Sequence, residues 1–107
     1  TMGVAEGIET ALAASLLVGV PVWAAYSASL LEAFVPPKIC RELLIFADRD
    51  KPRIGPRIWR PEGQGMHSAR VLQARMAERG VAARILLPNA PAEDFADVWA
   101  AKMGRAA

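Results

Sequence analysis

Three acidic side chains follow two short apolar segments of this 107-residue chain, and they are the residues best suited to chemistry. Glu6 follows residues 4–5, and Asp48 and Asp50 follow residues 45–47. Both segments are typical of buried strands, and open parallel sheets bind ligands at the carboxyl ends of their strands. Carboxylates gathered there repel one another unless a cation neutralises them, and oxygen ligands suit Mg²⁺ beside a substrate phosphate. The pattern therefore predicts a Mg²⁺ site that faces a phosphate.

The apolar runs and turn residues predict strands and helices in alternation. This order indicates an α/β fold with a central four-stranded, mostly parallel sheet and helices on both faces. The predicted strands are 3–5, 22–26, 42–47 and 81–87, and the predicted helices are 8–18, a short one ending near Phe34, 66–79 and one from Asp94 to about Met103.

Local signals support these boundaries. Ile8, Leu12 and Leu16 recur every four residues, which places them on one face of a helix. Asp94 and Asp97 have the spacing of a capping box at the start of the last helix. The Pro-, Gly- and Arg-rich segment from Lys51 to Gly65 is interpreted as a loop.

Composition limits the classes of protein to consider. A hydrophobic fraction of 53% indicates a packed domain instead of a disordered chain. The single Cys40 excludes an internal disulfide and a Cys-based zinc site. The longest uncharged stretch, 10–31, is interrupted by glycine, proline and serine, so we expect a cytoplasmic protein without a membrane partner. Because the first strand starts almost at residue 1, we expect one domain over 1–107, excised from a longer multidomain protein.

Positive charge is concentrated in the second half of the chain. Residues 49–84 contain nine basic and three acidic side chains, a balance that suits a phosphate-bearing partner beside an acidic metal site. A solvated helix face would have the same composition. The candidate nucleic-acid or nucleotide ligands are Arg49, Lys51, Arg53, Arg57, Arg60 and Arg70.

The acidic motifs and their neighbours resemble the Toprim domain, the catalytic module shared by bacterial-type primases, topoisomerases, some nucleases and recombination proteins. The segments 6–12, 19–24 and 94–98 look like the Toprim domains of plasmid- and phage-type primases. The resemblance covers essentially the whole chain, and it implies the Rossmann-like Toprim fold.

The resemblance also implies roles for individual residues. Glu6 matches the family's glutamate, a general acid or base in nucleotidyl transfer that also contacts metal. Asp48 and Asp50 match the Asp-x-Asp ligands of Mg²⁺, for which Mn²⁺ substitutes. Asp97 matches a further acid of the primase branch and is an additional candidate ligand, although capping explains it equally well.

The function implied is that of a DNA primase-like nucleotidyltransferase in the replication of a plasmid or phage. Its partners would be a single-stranded DNA template, nucleoside triphosphates and other domains of the parent protein. Two alternatives use the same residues: a Toprim nuclease or strand-breaking enzyme, and a non-catalytic nucleic-acid-binding module that retains the acids as relics.

The chain departs from the family pattern in one place. In the family, a glycine usually follows the Asp-x-Asp within a few residues and starts the next helix. Here the insertion 51–63 comes first, and Gly65 takes the position of that glycine. The insertion either grips a single strand with its basic residues and Trp59 or is a loop whose Trp59 packs on the domain.

Other aromatic residues are assigned structural roles. Trp23 and Trp99 are predicted to lie in the core. Tyr26 invites comparison with the nucleophile of topoisomerases, but it falls within a predicted strand and is therefore discounted.

Overall fold

The structure is a computed structural model that describes residues 1–106, with side chains for residues 1–104. Its strands and helices alternate except for one hairpin between the third strand and the third helix. In chain order the elements are β1 Met2–Ala5, α1 Ile8–Val18, β2 Val22–Ala24, α2 Ala28–Glu32, β3 Glu42–Phe46, β4 Arg53–Gly55, β5 Ile58–Arg60, α3 Gln64–Glu78, β6 Ala82–Leu86 and α4 Phe95–Ala106.

Four of the strands form one parallel sheet in the order β2-β1-β3-β6. This confirms the predicted α/β fold. The chain passes from β1 to one neighbour, β2, and then crosses to β3 on the other side of β1. The switch in direction therefore lies between β1 and β3, where Ala5 is paired with Phe46. Crevices at such switch points are where open α/β sheets bind ligands.

Strand β3 is buried on both faces because helices cover both sides of the sheet. Leu43 and Ile45 belong to a core on one face with Leu72 and Met76 of α3. On the other face, Phe46 packs with α1 and contacts Phe95 of α4 edge to face, at 5.2 Å between ring centroids. The nearly continuous apolar run of β3 follows from this two-sided burial.

Helix α1 has the predicted bounds, but the face it buries is not the one that carries Ile8, Leu12 and Leu16, called here the leucine stripe. Leu12 is 62% exposed, and Ile8 and Leu16 are exposed as well. The sheet is contacted instead by Ala11 and Ala14. Alanines have short side chains, so they let the helix backbone approach the sheet closely and leave the longer residues outside.

The segment interpreted as a loop contains an antiparallel hairpin, so that interpretation was wrong. Strands β4 and β5 are three residues long and pair Arg53 with Arg60 and Ile54 with Trp59. Trp59 is 66% exposed, which contradicts the alternative in which this side chain packs on the domain. Strands this short, separated by two residues, have too few alternating positions for periodicity to reveal them.

The segment around β2 and α2 contains two further features, a helix cap at Ser27 and an exposed Trp23. Ser27 caps α2, since its hydroxyl accepts a hydrogen bond from the Leu30 N–H at 3.1 Å. Trp23, predicted to be core, is 48% exposed, because it lies on the edge strand β2 and meets Phe34 only edge to face. In the described part of the chain, every helix is too short or too polar to cross a bilayer.

Candidate metal centre

The carboxyl ends of β1 and β3 bring Glu6 and Asp48 together. The two strands are neighbours in the sheet, and each acid follows its strand within two residues. Both side chains line a cleft of about 430 Å³, together with Tyr26 and Asp94. The parallel topology thus brings two of the three predicted acids into one cleft at the switch point of the sheet, and their role as metal ligands stays a prediction.

Asp48 is the most perturbed carboxylate of the site. Its side chain is half-buried, and its Oδ1 atom is buried without a hydrogen-bond partner among the described residues. Burial and, to a lesser extent, the charges of nearby carboxylates together raise the pKa of Asp48 to about 7. Those carboxylates are Asp50, Glu6, Asp94 and Asp97, in decreasing order of effect. A cation or a proton would relieve this unfavourable charge.

Glu6 is perturbed in the same direction. Partial burial raises its pKa above the ordinary value of 4.5, and the charge of Asp50 adds to the effect. A glutamate that holds its proton to a higher pH is better matched to proton transfer near neutrality. The environment of Glu6 therefore suits a general acid or base.

Asp50 is held by the start of helix α3. Its Oδ2 atom accepts a hydrogen bond from the backbone N–H of Gly65 at 2.7 Å. The first turn of a helix has free N–H groups and a partial positive charge, so it stabilises a carboxylate. A Cβ at Gly65 would lie 2.5 Å from the carbonyl oxygen of Asp48, so the approach of α3 to the Asp-x-Asp segment needs glycine there.

Arg49, between the two aspartates in sequence, joins a second loop to the end of β3. Its Nη2 and Nε atoms donate to the carbonyl oxygen of Pro88 at 2.6 and 3.2 Å. Its backbone N–H donates to the carbonyl oxygen of Glu93 at 2.6 Å. These bonds hold the loop between β6 and α4 against the end of β3.

That loop ends in the predicted capping box. The Asp97 N–H donates to Oδ1 of Asp94 at 2.9 Å, and Oδ2 of Asp97 accepts from the N–H groups of Glu93 and Asp94 at 2.9 and 3.4 Å. Asp94 lines the cleft with Glu6, whereas Asp97 lines a separate, mainly apolar hollow of about 490 Å³. Asp97 is thus accounted for as a cap, and its role as a metal ligand stays a prediction.

The basic candidates divide into two groups. Arg70 forms a two-point ion pair with Glu62 at 2.6 and 2.8 Å, and Arg49 is bound to Pro88. The rest lie on or next to the hairpin, and all except the half-buried Arg60 are exposed: Lys51, Arg53, Arg57 and Arg60.

A family model for the Toprim domain matches residues 1–105 of the chain. The chain belongs to the Toprim family. No curated protein and no solved structure matches it. Toprim domains occur in primases, nucleases and topoisomerases, and membership implies metal-dependent processing of nucleic acid.

The acids of this Toprim domain have the oxygen donors that a divalent cation requires, but those in the described part of the chain do not form a complete set of ligands by themselves. Among the residues that the structure describes, no three His, Cys, Asp or Glu side chains are grouped closely enough to hold one ion. Mg²⁺ needs only one or two carboxylates, with waters and substrate phosphates completing its octahedron. The buried, unpartnered Oδ1 of Asp48 and the oxygen-only donors around it suit that mode of binding.

Tyr26 is a residue of the Toprim cleft that the sequence interpretation discounted. The predicted strand 22–26 was too long: β2 ends at Ala24, and Tyr26 has a φ of 80°, outside the β region. The available signal was its position, because Tyr26 follows β2 closely, as Glu6 follows β1.

Proposed function

We propose that this Toprim domain is the Mg²⁺-dependent catalytic part of a primase-like protein that joins nucleotides on a single-stranded DNA template. The observation that carries the proposal is that Glu6 and Asp48, which follow the paired strands β1 and β3, line one cleft at the switch point of the sheet. The likeness of segments 6–12 and 94–98 to plasmid- and phage-type primases supports the finer assignment, to cytoplasmic replication of a mobile element.

Asp48 and Asp50 would hold the cation, with Glu6 close to it. When bound, Mg²⁺ neutralises charge on the transferring phosphate and lowers the pKa of the attacking hydroxyl. Asp48 contributes a carboxylate oxygen without another partner, and Asp50 is fixed by the Gly65 N–H. Glu6, whose pKa is raised, would take the proton of the attacking hydroxyl at its carboxylate.

The hairpin is proposed to bind the template strand. Arg53 and Arg60 are paired across β4 and β5, and directly paired residues share a face of a hairpin. Like charges in this position repel unless an anion lies between them, which a DNA phosphate would do. Ile54 and Trp59 form the opposite pair, and the exposed indole offers a surface for stacking a base.

The proposal is tested by primer synthesis with the full-length protein and its Asp48→Ala variant. We expect Mg²⁺-dependent synthesis to be lost in the variant and retained in Glu78→Gln, a control at the far end of α3. Unchanged synthesis in Asp48→Ala would refute the proposed role of the acid.

The same proteins distinguish the alternative functions. Cleavage of DNA that needs Mg²⁺ and Asp48, without primer synthesis, would assign a nuclease. Salt-dependent DNA binding without any metal-dependent reaction would assign a binding module that acts through the basic hairpin.

A further inference from the structure

Tyr26 lies beside the acidic cluster that Glu6 and Asp48 form, and its ring is in solvent. The side chain is 70% exposed and lines the cleft that also contains Glu6 and Asp48. Aromatic residues contribute to folding mainly by burying their rings. Packing therefore does not account for a tyrosine at this position.

The backbone of Tyr26 gives a second, independent argument. Its φ of 80° is the only positive φ of a non-glycine residue in the described part of the chain. This conformation is disfavoured for any residue with a Cβ, and glycine would adopt it freely. Strained residues of this kind cluster at active sites and ligand-binding sites.

The strained residue is also held firmly. The Tyr26 N–H donates to the carbonyl oxygen of Glu6 at 2.6 Å, and the Ala25 N–H donates to that of Ala5 at 2.8 Å. On its other side, Ser27 caps helix α2. The ring is therefore carried by a backbone segment that is bonded directly to the backbone of Glu6.

We propose that Tyr26 stacks on a nucleobase of the substrate whose phosphate lies at the acidic cluster. The inference rests on the proposed function of the same site. In any nucleotide, a flat base is tethered through the sugar to the phosphate, and an aromatic ring on the wall of the cleft is placed to meet it. Stacking on aromatic side chains accepts every base, as template-directed joining requires. Tyr26 is thus a positioning residue, and its hydroxyl is not needed.

Two substitutions in the full-length protein separate the ring from the backbone. Tyr26→Phe keeps the ring and removes the hydroxyl. Tyr26→Gly removes the ring and relieves the strained φ, so we expect its urea denaturation midpoint to be equal to or higher than that of the wild type. A loss of binding in Tyr26→Gly would then not result from poor folding.

Binding is measured in Mg²⁺ with three probes: a nucleoside triphosphate, a short single-stranded oligonucleotide and inorganic triphosphate, which has no base. We expect Tyr26→Gly to weaken binding of a base-containing probe by about 5- to 150-fold, the range for loss of one stacked base. Inorganic triphosphate should bind equally well to both proteins, and Tyr26→Phe should resemble the wild type. The probe whose binding is weakened shows whether the base stacked on Tyr26 belongs to a free nucleotide or to a DNA strand.

The outcomes separate this inference from the proposed function. Equal weakening of all three probes, or unchanged binding of both base-containing probes, would overturn the stacking role alone. Failure of the wild type to bind any probe in Mg²⁺ would refute the proposed function, and the stacking inference with it.

Discussion

Replacing Asp48 with asparagine should stabilise the metal-free protein while abolishing its metal-dependent activity. Burial and the neighbouring carboxylates raise the pKa of Asp48 from 3.8 to about 7, so ionising this side chain costs free energy in the folded state. Asparagine has nearly the same shape and carries no charge. The substitution therefore removes an unfavourable charge without opening a cavity.

The size of the effect follows from the pKa of Asp48. A rise from 3.8 to about 7 corresponds to about 4 kcal/mol of lost unfolding free energy once the group is ionised. Because the carboxylate is only half-buried, solvent screens part of this repulsion, and we expect about 2 kcal/mol at pH 8.

The same two pKa values determine how the contribution of Asp48 to the unfolding free energy changes with pH. The folded state binds the Asp48 proton more tightly than the unfolded chain does, so this residue lowers stability as the pH rises from about 4 through about 7. The unfolding free energy of Asp48→Asn should thus nearly equal that of the wild type at pH 4 and exceed it by the full amount at pH 8.

The assay is urea unfolding, monitored by tryptophan fluorescence in chelator, at several pH values between 4 and 8. Glu78→Gln serves as the matched control, since Glu78 is exposed at the end of α3. Added Mg²⁺ should stabilise the wild type but not Asp48→Asn, because only a folded state that binds the ion gains from it. An Asp48→Asn variant no more stable than the wild type at pH 8, or a gap that does not change with pH, would refute the reasoning.

Three further predictions concern other parts of the domain. Gly65→Ala should lower the unfolding free energy by about 1–3 kcal/mol and weaken Mg²⁺ binding, because the new Cβ would lie 2.5 Å from the Asp48 carbonyl oxygen. Urea unfolding measures the first effect and calorimetry the second, and unchanged stability and binding would contradict the close approach of α3 to Asp48. The double variant Arg53→Ala/Arg60→Ala should reduce the salt dependence of single-stranded DNA binding by about 1.4 in log–log slope without loss of stability, and an unchanged slope would exclude the hairpin from binding. Leu12→Ser should change stability by less than about 0.5 kcal/mol, because that side chain is exposed; a cost of several kcal/mol in urea unfolding would show that the leucine stripe is covered.

Most of the fold could be predicted from the sequence because its signals are local. Gly19 has a φ of 72° at the end of α1, and the continuous apolar run of β3 indicates a strand between two layers. The buried face of α1 was harder to assign, because Ala11 and Ala14 form an apolar helix face just as the leucine stripe does. Which face packs is decided by how closely the helix approaches the sheet.

The position of the acids at the strand ends could also be predicted, whereas the contacts that arrange them could not. Glu6 and Asp48 follow strands, and parallel strands end at one edge of a sheet. By contrast, the bond from Arg49 to Pro88 joins residues 39 positions apart, and the place of Tyr26 depends on one backbone torsion. Such features arise only when the loops pack together.

The most direct test of the metal centre is calorimetric titration of the full-length protein with Mn²⁺ or Mg²⁺, in the presence of a nucleoside triphosphate. The nucleotide is included because substrate phosphate completes the coordination of such ions. We predict saturable binding to the wild type and its loss in Asp48→Ala/Asp50→Ala, with Glu78→Gln unaffected. Equal binding by the wild type and the double variant, or no binding by either, would contradict the assignment of these acids as the metal site.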